Sequence, residues 1–320
     1  MRHRAFSSPP AAFSLLLIFV ALASHSQSAF SQTPAPQNGP AGTPQRQQQP
    51  QRGWSSQQQS QAWATQKLAA SPRHSEWITI PNGNRTLKAW VDYPQAKGKV
   101  SVVLVLHEVF GLTDSTRNTA DEITAMGYIT ISIDMLAGRG PEGGNVDSFE
   151  PPLSASDTLT SLPDDAVNSD LNAWADYAKK LPASNGMFAV VGLSWGGGAA
   201  FRYAATAQRK DLKAVCVFYD VGLPAETQHF AGAPTSIPVD KIAVPIYGFY
   251  GSTDTRPFVT IDATKAAMAS AGKFYEPVVY QGAEHAFMRV GESPNANPAN
   301  VAAVKAASER LEKLLKENFK

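Results

Sequence analysis

Three separated stretches of the chain carry residues whose types and spacing suit nucleophilic chemistry. The first is AVVGLSWGGGAAF, Ala189 to Phe201, in which Ser194 sits in the pattern Gly192-Leu193-Ser194-Trp195-Gly196. An apolar run with strand character precedes this serine, and a small-residue segment with helical character follows. That is the setting of a nucleophile raised on a sharp strand-to-helix turn, where side chains at the flanking positions would collide with neighbouring elements. The second and third stretches are GFYGSTDTRPF, holding Asp254, and QGAEHAFMRV, holding His285. A serine hydroxyl attacks a carbonyl only if a base removes its proton, and an imidazole base needs a carboxylate to orient it and stabilise the imidazolium. Singly, these are a glycine-rich loop, a turn aspartate and a loop histidine. Jointly, they are a set for acyl transfer. Such chemistry also needs donors for the developing oxyanion; the amide of Trp195, at a helix start, and that of Val109, after an earlier strand, are the candidates.

The elements around these stretches must bring them together. EWITI and TLKAWVDYP, joined by Pro81-Asn82-Gly83-Asn84, read as a hairpin. KVSVVLVLH, running to His107, is a near-continuous apolar run suited to a strand buried on both faces. A helix from about Thr116 to Met126 and the strand YITISID follow. The stretch from Gly138 to Leu162, rich in Gly, Pro, Ser and Asp, reads as a long loop. Helical spacing from Asp164 to Leu181 precedes MFAVVGL, the strand leading into Ser194. Strands LKAVCVFY, VPIYGFYG and YEPVVYQ and helices over about 258–271 and 300–319 complete the chain. Strands alternating with helices imply an α/β fold with a mostly parallel central sheet flanked by helices. Ligands of such sheets lie beyond the carboxyl ends of the strands, where Glu108, Ser194, Asp254 and His285 would all fall. The chain order Ser, Asp, His is that of the α/β-hydrolase arrangement.

Charge and composition bound the function. The 320 residues carry 28 basic and 27 acidic side chains. No acidic residue precedes Glu76, whereas six basic ones do, which leaves 22 basic against 27 acidic groups in 76–320. A net negative domain offers no electrostatic basis for binding nucleic acid. Arg2 and Arg4 before the apolar stretch Ala11 to Ala23 read as an export signal over residues 1–29, cleaved after Ala23 or Ala29, hence a periplasmic or secreted location. That stretch is short of the roughly 20 residues a membrane span needs, so no stable span is expected after cleavage. Twelve glutamines between Gln32 and Gln66 mark residues 30–75 as a disordered linker, leaving 76–320 as the folded domain. Cys216 is the only cysteine, so no internal disulfide can form. His107, His229 and Asp134 show no metal-ligand spacing, and no phosphate-binding or dinucleotide motif is present, so no cofactor is expected. Nothing in the chain signals an oligomeric state.

Five motifs, HEVFGL (His107–Leu112), GYITISIDML (Gly127–Leu136), GLSWGGG (Gly192–Gly198), GSTD (Gly251–Asp254) and EHAFMR (Glu284–Arg289), occur in the order found in the dienelactone hydrolase family. The chain resembles that family over essentially all of 76–320. The resemblance implies a single α/β-hydrolase domain that opens enol-lactones such as carboxymethylenebutenolide without a cofactor. It puts the nucleophile, acid and histidine on Ser194, Asp254 and His285. It implies that Glu108 contacts the nucleophile and that Arg289 binds a substrate carboxylate. Read without the family, Glu108 is a loop carboxylate paired with a base such as Arg117. For the family's second substrate arginine, Arg139 is the nearest candidate, and a solvated surface arginine is the alternative.

The family usually has cysteine where this chain has Ser194. A thiol with a pKa of about 8.5 can sit as thiolate, whereas a hydroxyl depends on its base at the moment of attack. The expectation is therefore a serine hydrolase of small-molecule esters or lactones, including simple carboxylic esters. The rival reading is a non-catalytic exported protein that keeps the fold and binds a small acid.

Overall fold

The computed structural model describes residues 61–149, 152–220 and 237–320. Its centre is an eight-stranded sheet: β1 (His74–Asn82), β2 (Arg85–Tyr93), β3 (Val100–Leu106), β4 (Ile129–Asp134), β5 (Ser184–Leu193), β6 (Leu212–Phe218), β7 (Ile246–Gly251) and β8 (Tyr275–Tyr280). Their spatial order is β1-β2-β4-β3-β5-β6-β7-β8. The β1–β2 and β2–β4 pairs are antiparallel and the other pairs are parallel. The hairpin closes with Asn82 opposite Arg85, so the turn is Gly83-Asn84, and Gly83 takes a left-handed φ of 62° that glycine adopts without strain.

The apolar runs occupy the middle of the sheet because both of its faces are covered. Along β3, Val102, Leu104 and Leu106 point into one core with Leu171 and Trp174 of helix α4 (Asp164–Lys180) and Phe201 of α5 (Trp195–Thr206). The alternate residues Val103 and Val105 enter a second core with Ile123 of α2 (Asp114–Ala125) and Leu311 and Leu315 of α8 (Pro298–Asn318). The two-residue period of the strand divides one apolar run between two layers. The remaining helices are α1 (Ala62–Ala70), α3 (Pro152–Thr160), α6 (Thr255–Ser270) and the single turn α7 (Phe287–Val290).

Two expectations need correction. The linker expected over residues 30–75 ends early, because α1 and the first residues of β1 lie inside it. Composition reads the glutamine-rich segment as having little to bury, but tertiary partners hold this part of it. Ala64 is buried, Gln61 Oε1 accepts from the Ser115 N–H at 3.2 Å, and Lys67 pairs with Glu122 at 3.6 Å and also with Glu292. The loop expected from Gly138 to Leu162 likewise contains helix α3, whose Ala155 and Leu159 join the first core. Residues 1–60, including the stretch read as an export signal, lie outside the described residues, as does His229. Among the described residues no helix is long and apolar enough to cross a membrane.

Candidate active site

Ser194 stands between the last residue of β5 and the first of α5, with φ 52° and ψ −118°, a backbone conformation that side-chain-bearing residues rarely adopt. Two glycines make it possible. A Cβ on Gly192 would lie 2.1 Å from the Gly196 carbonyl oxygen, and one on Gly196 would lie 2.6 Å from the Leu106 carbonyl oxygen. Neither backbone atom can retreat without opening the sheet or the helix. The turn is pinned further by the Ser194 N–H donating to the Phe218 carbonyl at 2.9 Å and by the Ser194 carbonyl accepting from Gly197 at 2.7 Å. Ser194 itself is half-buried, unlike the buried residues on either side of it.

Asp254 follows β7 and His285 follows β8, and the loops that carry them are laced together. Thr253 donates to the Ala283 carbonyl through its N–H at 3.0 Å and its hydroxyl at 2.9 Å, while the Gly282 N–H donates to Ser252 Oγ at 2.7 Å. From the other side, Asn300 near the start of α8 holds Glu284, accepting from its N–H at 2.9 Å and donating to its Oε1 at 2.6 Å. His285 is thereby set between two partners. Its Nε2 lies 3.0 Å from Ser194 Oγ, and its Nδ1 is hydrogen-bonded to Oδ2 of the buried Asp254. With Nδ1–H donated to the carboxylate, Nε2 presents a lone pair to the hydroxyl, which is the tautomer a general base requires.

The other predicted residues fall out differently. Trp195 is the first residue of α5, so its amide has no intrahelical acceptor, and Val109 lies in the turn after β3. Glu108 is buried, but it does not make the expected contact with Ser194, nor does it pair with Arg117. Its Oε2 accepts from Arg289 Nε at 2.8 Å, its Oε1 is buried with no hydrogen-bond partner among the described residues, and Arg117 is bonded to Asp114. Arg289 also lies over the Phe110 ring, 5.6 Å from its centroid. Arg139 belongs elsewhere. Its Nη1 donates to Asp170 at 2.7 Å and to the Met135 carbonyl at 3.1 Å, and Arg85 and Asn82 converge on the same buried carboxylate. The buried Asp170 charge is compensated by Arg139 and Arg85 together, so the partners that hold Arg139 belong to the fold and not to the Ser194 site.

Two residues not assigned a role from sequence stand against the site. The buried Tyr219, at the end of β6, has φ 63°; its ring packs across the His285 ring at 5.3 Å between centroids. His107 lies between the elements that meet at the β3 turn. Its Nδ1 donates to the Glu108 carbonyl at 2.7 Å, its Nε2 accepts from the Met135 N–H at 3.2 Å, and its ring stacks on Trp195. Burial withholds solvent from the charged form and lowers its pKa to about 4. Between pH 6.5 and 4 the unfolded chain therefore binds a proton that the folded one refuses, and stability falls as pH drops through that window. In urea titrations, His107→Gln should reduce the loss of stability between pH 7 and pH 5 by about 2 kcal/mol, whatever its effect at pH 7. An unaltered loss would show that His107 does not govern this limb. Among the described residues no three His, Cys, Asp or Glu side chains are grouped to hold a metal ion.

With this geometry in view, the chain matches the dienelactone hydrolase family over residues 87–319. It belongs to that family. Two curated relatives, from Yersinia pestis and Synechocystis sp., provisionally named carboxymethylenebutenolidases, are each 28% identical over 218 residues. The alignments cover 67% and 66% of this chain and 79% and 85% of the relatives, respectively. A solved structure from Klebsiella pneumoniae, provisionally titled a dienelactone hydrolase, superposes with a TM-score of 0.64 at 22% identity, over 76% of this chain and 98% of that one. That likeness bears on the fold, which is the α/β-hydrolase fold. Family membership makes the chain a carboxylic ester hydrolase.

Proposed function

We propose that this dienelactone hydrolase family member is an exported serine hydrolase that cleaves small carboxylic esters or lactones through an acyl-enzyme on Ser194. The observation that carries the reading is the unbroken relay from Ser194 Oγ through His285 to Asp254, mounted on a backbone turn that is strained at the serine. As Oγ bonds to the carbonyl carbon, its proton passes to His285 Nε2, and Asp254 stabilises the imidazolium. The carbonyl oxygen, now an alkoxide, is held by the amides of Trp195 and Val109. Collapse of the tetrahedral adduct breaks the bond to the leaving oxygen, which takes the proton from Nε2. Water then repeats the sequence at the acyl-enzyme: it gives a proton to Nε2, and Oγ leaves and is reprotonated. In a lactone the leaving oxygen stays attached to the acyl group, so one hydroxy or oxo acid is released.

Serine suits this role because the base is already at hydrogen-bonding distance. Arg289 is the proposed anchor for a substrate carboxylate. Its Nε is committed to Glu108, so the anchor is the Nη pair, and Glu108 orients the guanidinium plane. The export reading rests on Arg2, Arg4 and the apolar stretch from Ala11 to Ala23.

A fluorophosphonate probe tests the reading, because it reacts only with a serine whose proton can be removed. Peptide mapping should find the adduct on Ser194 and nowhere else. A protein left unlabelled at active-site-saturating probe concentration would instead be the non-catalytic binder.

A further inference from the structure

We propose that Tyr219 is a positioning residue that seats the catalytic imidazole and, through its hydroxyl, the helical turn carrying Arg289. The inference rests on the serine-hydrolase reading and adds to it a residue that touches no reacting atom. Five non-glycine residues among those described have left-handed φ, and three of them, Ser194, Tyr219 and Ala286, are grouped at this site. Strain in a bulky, buried tyrosine persists only where its surroundings over-determine it. Here the backbone is tied by the Tyr219 N–H donating to the Phe249 carbonyl at 3.0 Å, which aims the side chain back beneath the loop after β8.

The side chain does two separate things there. Its ring is wedged between His285, at 5.3 Å, and Phe287, at 4.9 Å, crossing both steeply. That contact walls off one side of the imidazole and limits its rotation about the axis that points Nε2 at Ser194. Its hydroxyl accepts from the Met288 N–H at 2.7 Å. Met288 is in the first turn of α7, where amides lack intrahelical acceptors, and Ala286, at the N-cap position, has no side chain to supply one. Tyr219 caps α7 from another element. Arg289, the next residue, reaches Glu108 from that turn.

Because ring and hydroxyl serve different neighbours, two substitutions should separate them. Tyr219→Phe keeps the ring and leaves a buried amide without its acceptor. Its KM for a p-nitrophenyl ester bearing a terminal carboxylate should rise about tenfold, a larger change than in kcat and a larger rise than in KM for p-nitrophenyl acetate, which carries no group for Arg289. Tyr219→Leu removes the ring as well, and kcat should fall about 10- to 100-fold on both esters. A merely structural residue would lower the amount of active enzyme without splitting KM from kcat in this way. The proposal is overturned if Phe leaves KM for the charged ester unchanged, if Leu leaves kcat unchanged, or if both variants lose activity only in proportion to folded protein. Ser194→Ala, assayed alongside, keeps the two questions apart. A Ser194→Ala variant that keeps a tenth or more of the wild-type rate sinks the hydrolase reading, whereas the expected loss in Ser194→Ala together with wild-type behaviour at 219 sinks this inference alone.

Discussion

Ser194→Ala should lower kcat for p-nitrophenyl acetate by about 10⁴-fold or more, with little change in melting temperature. The loss is large because the serine oxygen is the atom that bonds to carbon, and removing it leaves only the oxyanion donors and substrate binding to act on the ester. Stability should hold because the hydroxyl bonds only to His285 among the described side chains, and the strained turn is set by Gly192, Gly196 and backbone hydrogen bonds, none of which the substitution touches. A circular-dichroism melt and the ester assay on one preparation provide the check. A variant that keeps a tenth of the wild-type rate would mean that another group attacks the ester.

Asp254→Asn should cost about 10³- to 10⁴-fold in kcat, again in a folded protein. The carboxylate is buried and bonded to His285 Nδ1, so it holds the proton on that nitrogen and lowers the energy of the imidazolium formed during attack. An amide of the same shape carries no charge, and its NH₂ can donate to Nδ1 instead. That favours the tautomer with its proton on Nε2, which cannot accept one from Ser194. The double variant Ser194→Ala/Asp254→Asn should be no slower than Ser194→Ala, since the carboxylate acts only through the serine it helps to activate. A further loss in the double variant would assign Asp254 a role outside the relay.

The two predictions rest on features of different legibility. The turn at Ser194 is visible in the linear chain because its cause is local: a strand, two glycines at positions that meet backbone, and a helix start all lie within a few residues. Asp254 and His285 were placed by the same logic, each at the carboxyl end of a strand in a sheet whose connections put those ends on one rim. The apolar runs of β3 and β5 likewise announce burial on both faces without any need for coordinates.

Side-chain partnership was not legible in that way. Arg139, in the turn after β4, and Arg289, on the single helical turn after β8, both follow strands at the carboxyl edge, yet Asp170 on α4 claims the first and Glu108 the second. Glu108 could have met Arg117, but Asp114, three residues earlier on the same helix, takes that guanidinium. Helix α1 was hidden by its glutamine-rich context and exists against α2. The left-handed backbone of Tyr219 and the clamp of Asn300 on Glu284 leave no mark in residue spacing. The amino-acid sequence alone determined the elements, the strained serine turn and the rim on which the reactive side chains gather, because propensity, periodicity and glycine sterics act over a few residues. Only the tertiary structure decided which charges pair and what holds the histidine in place, because those choices are made between segments far apart in the chain, by whichever partner the packing brings within hydrogen-bonding distance.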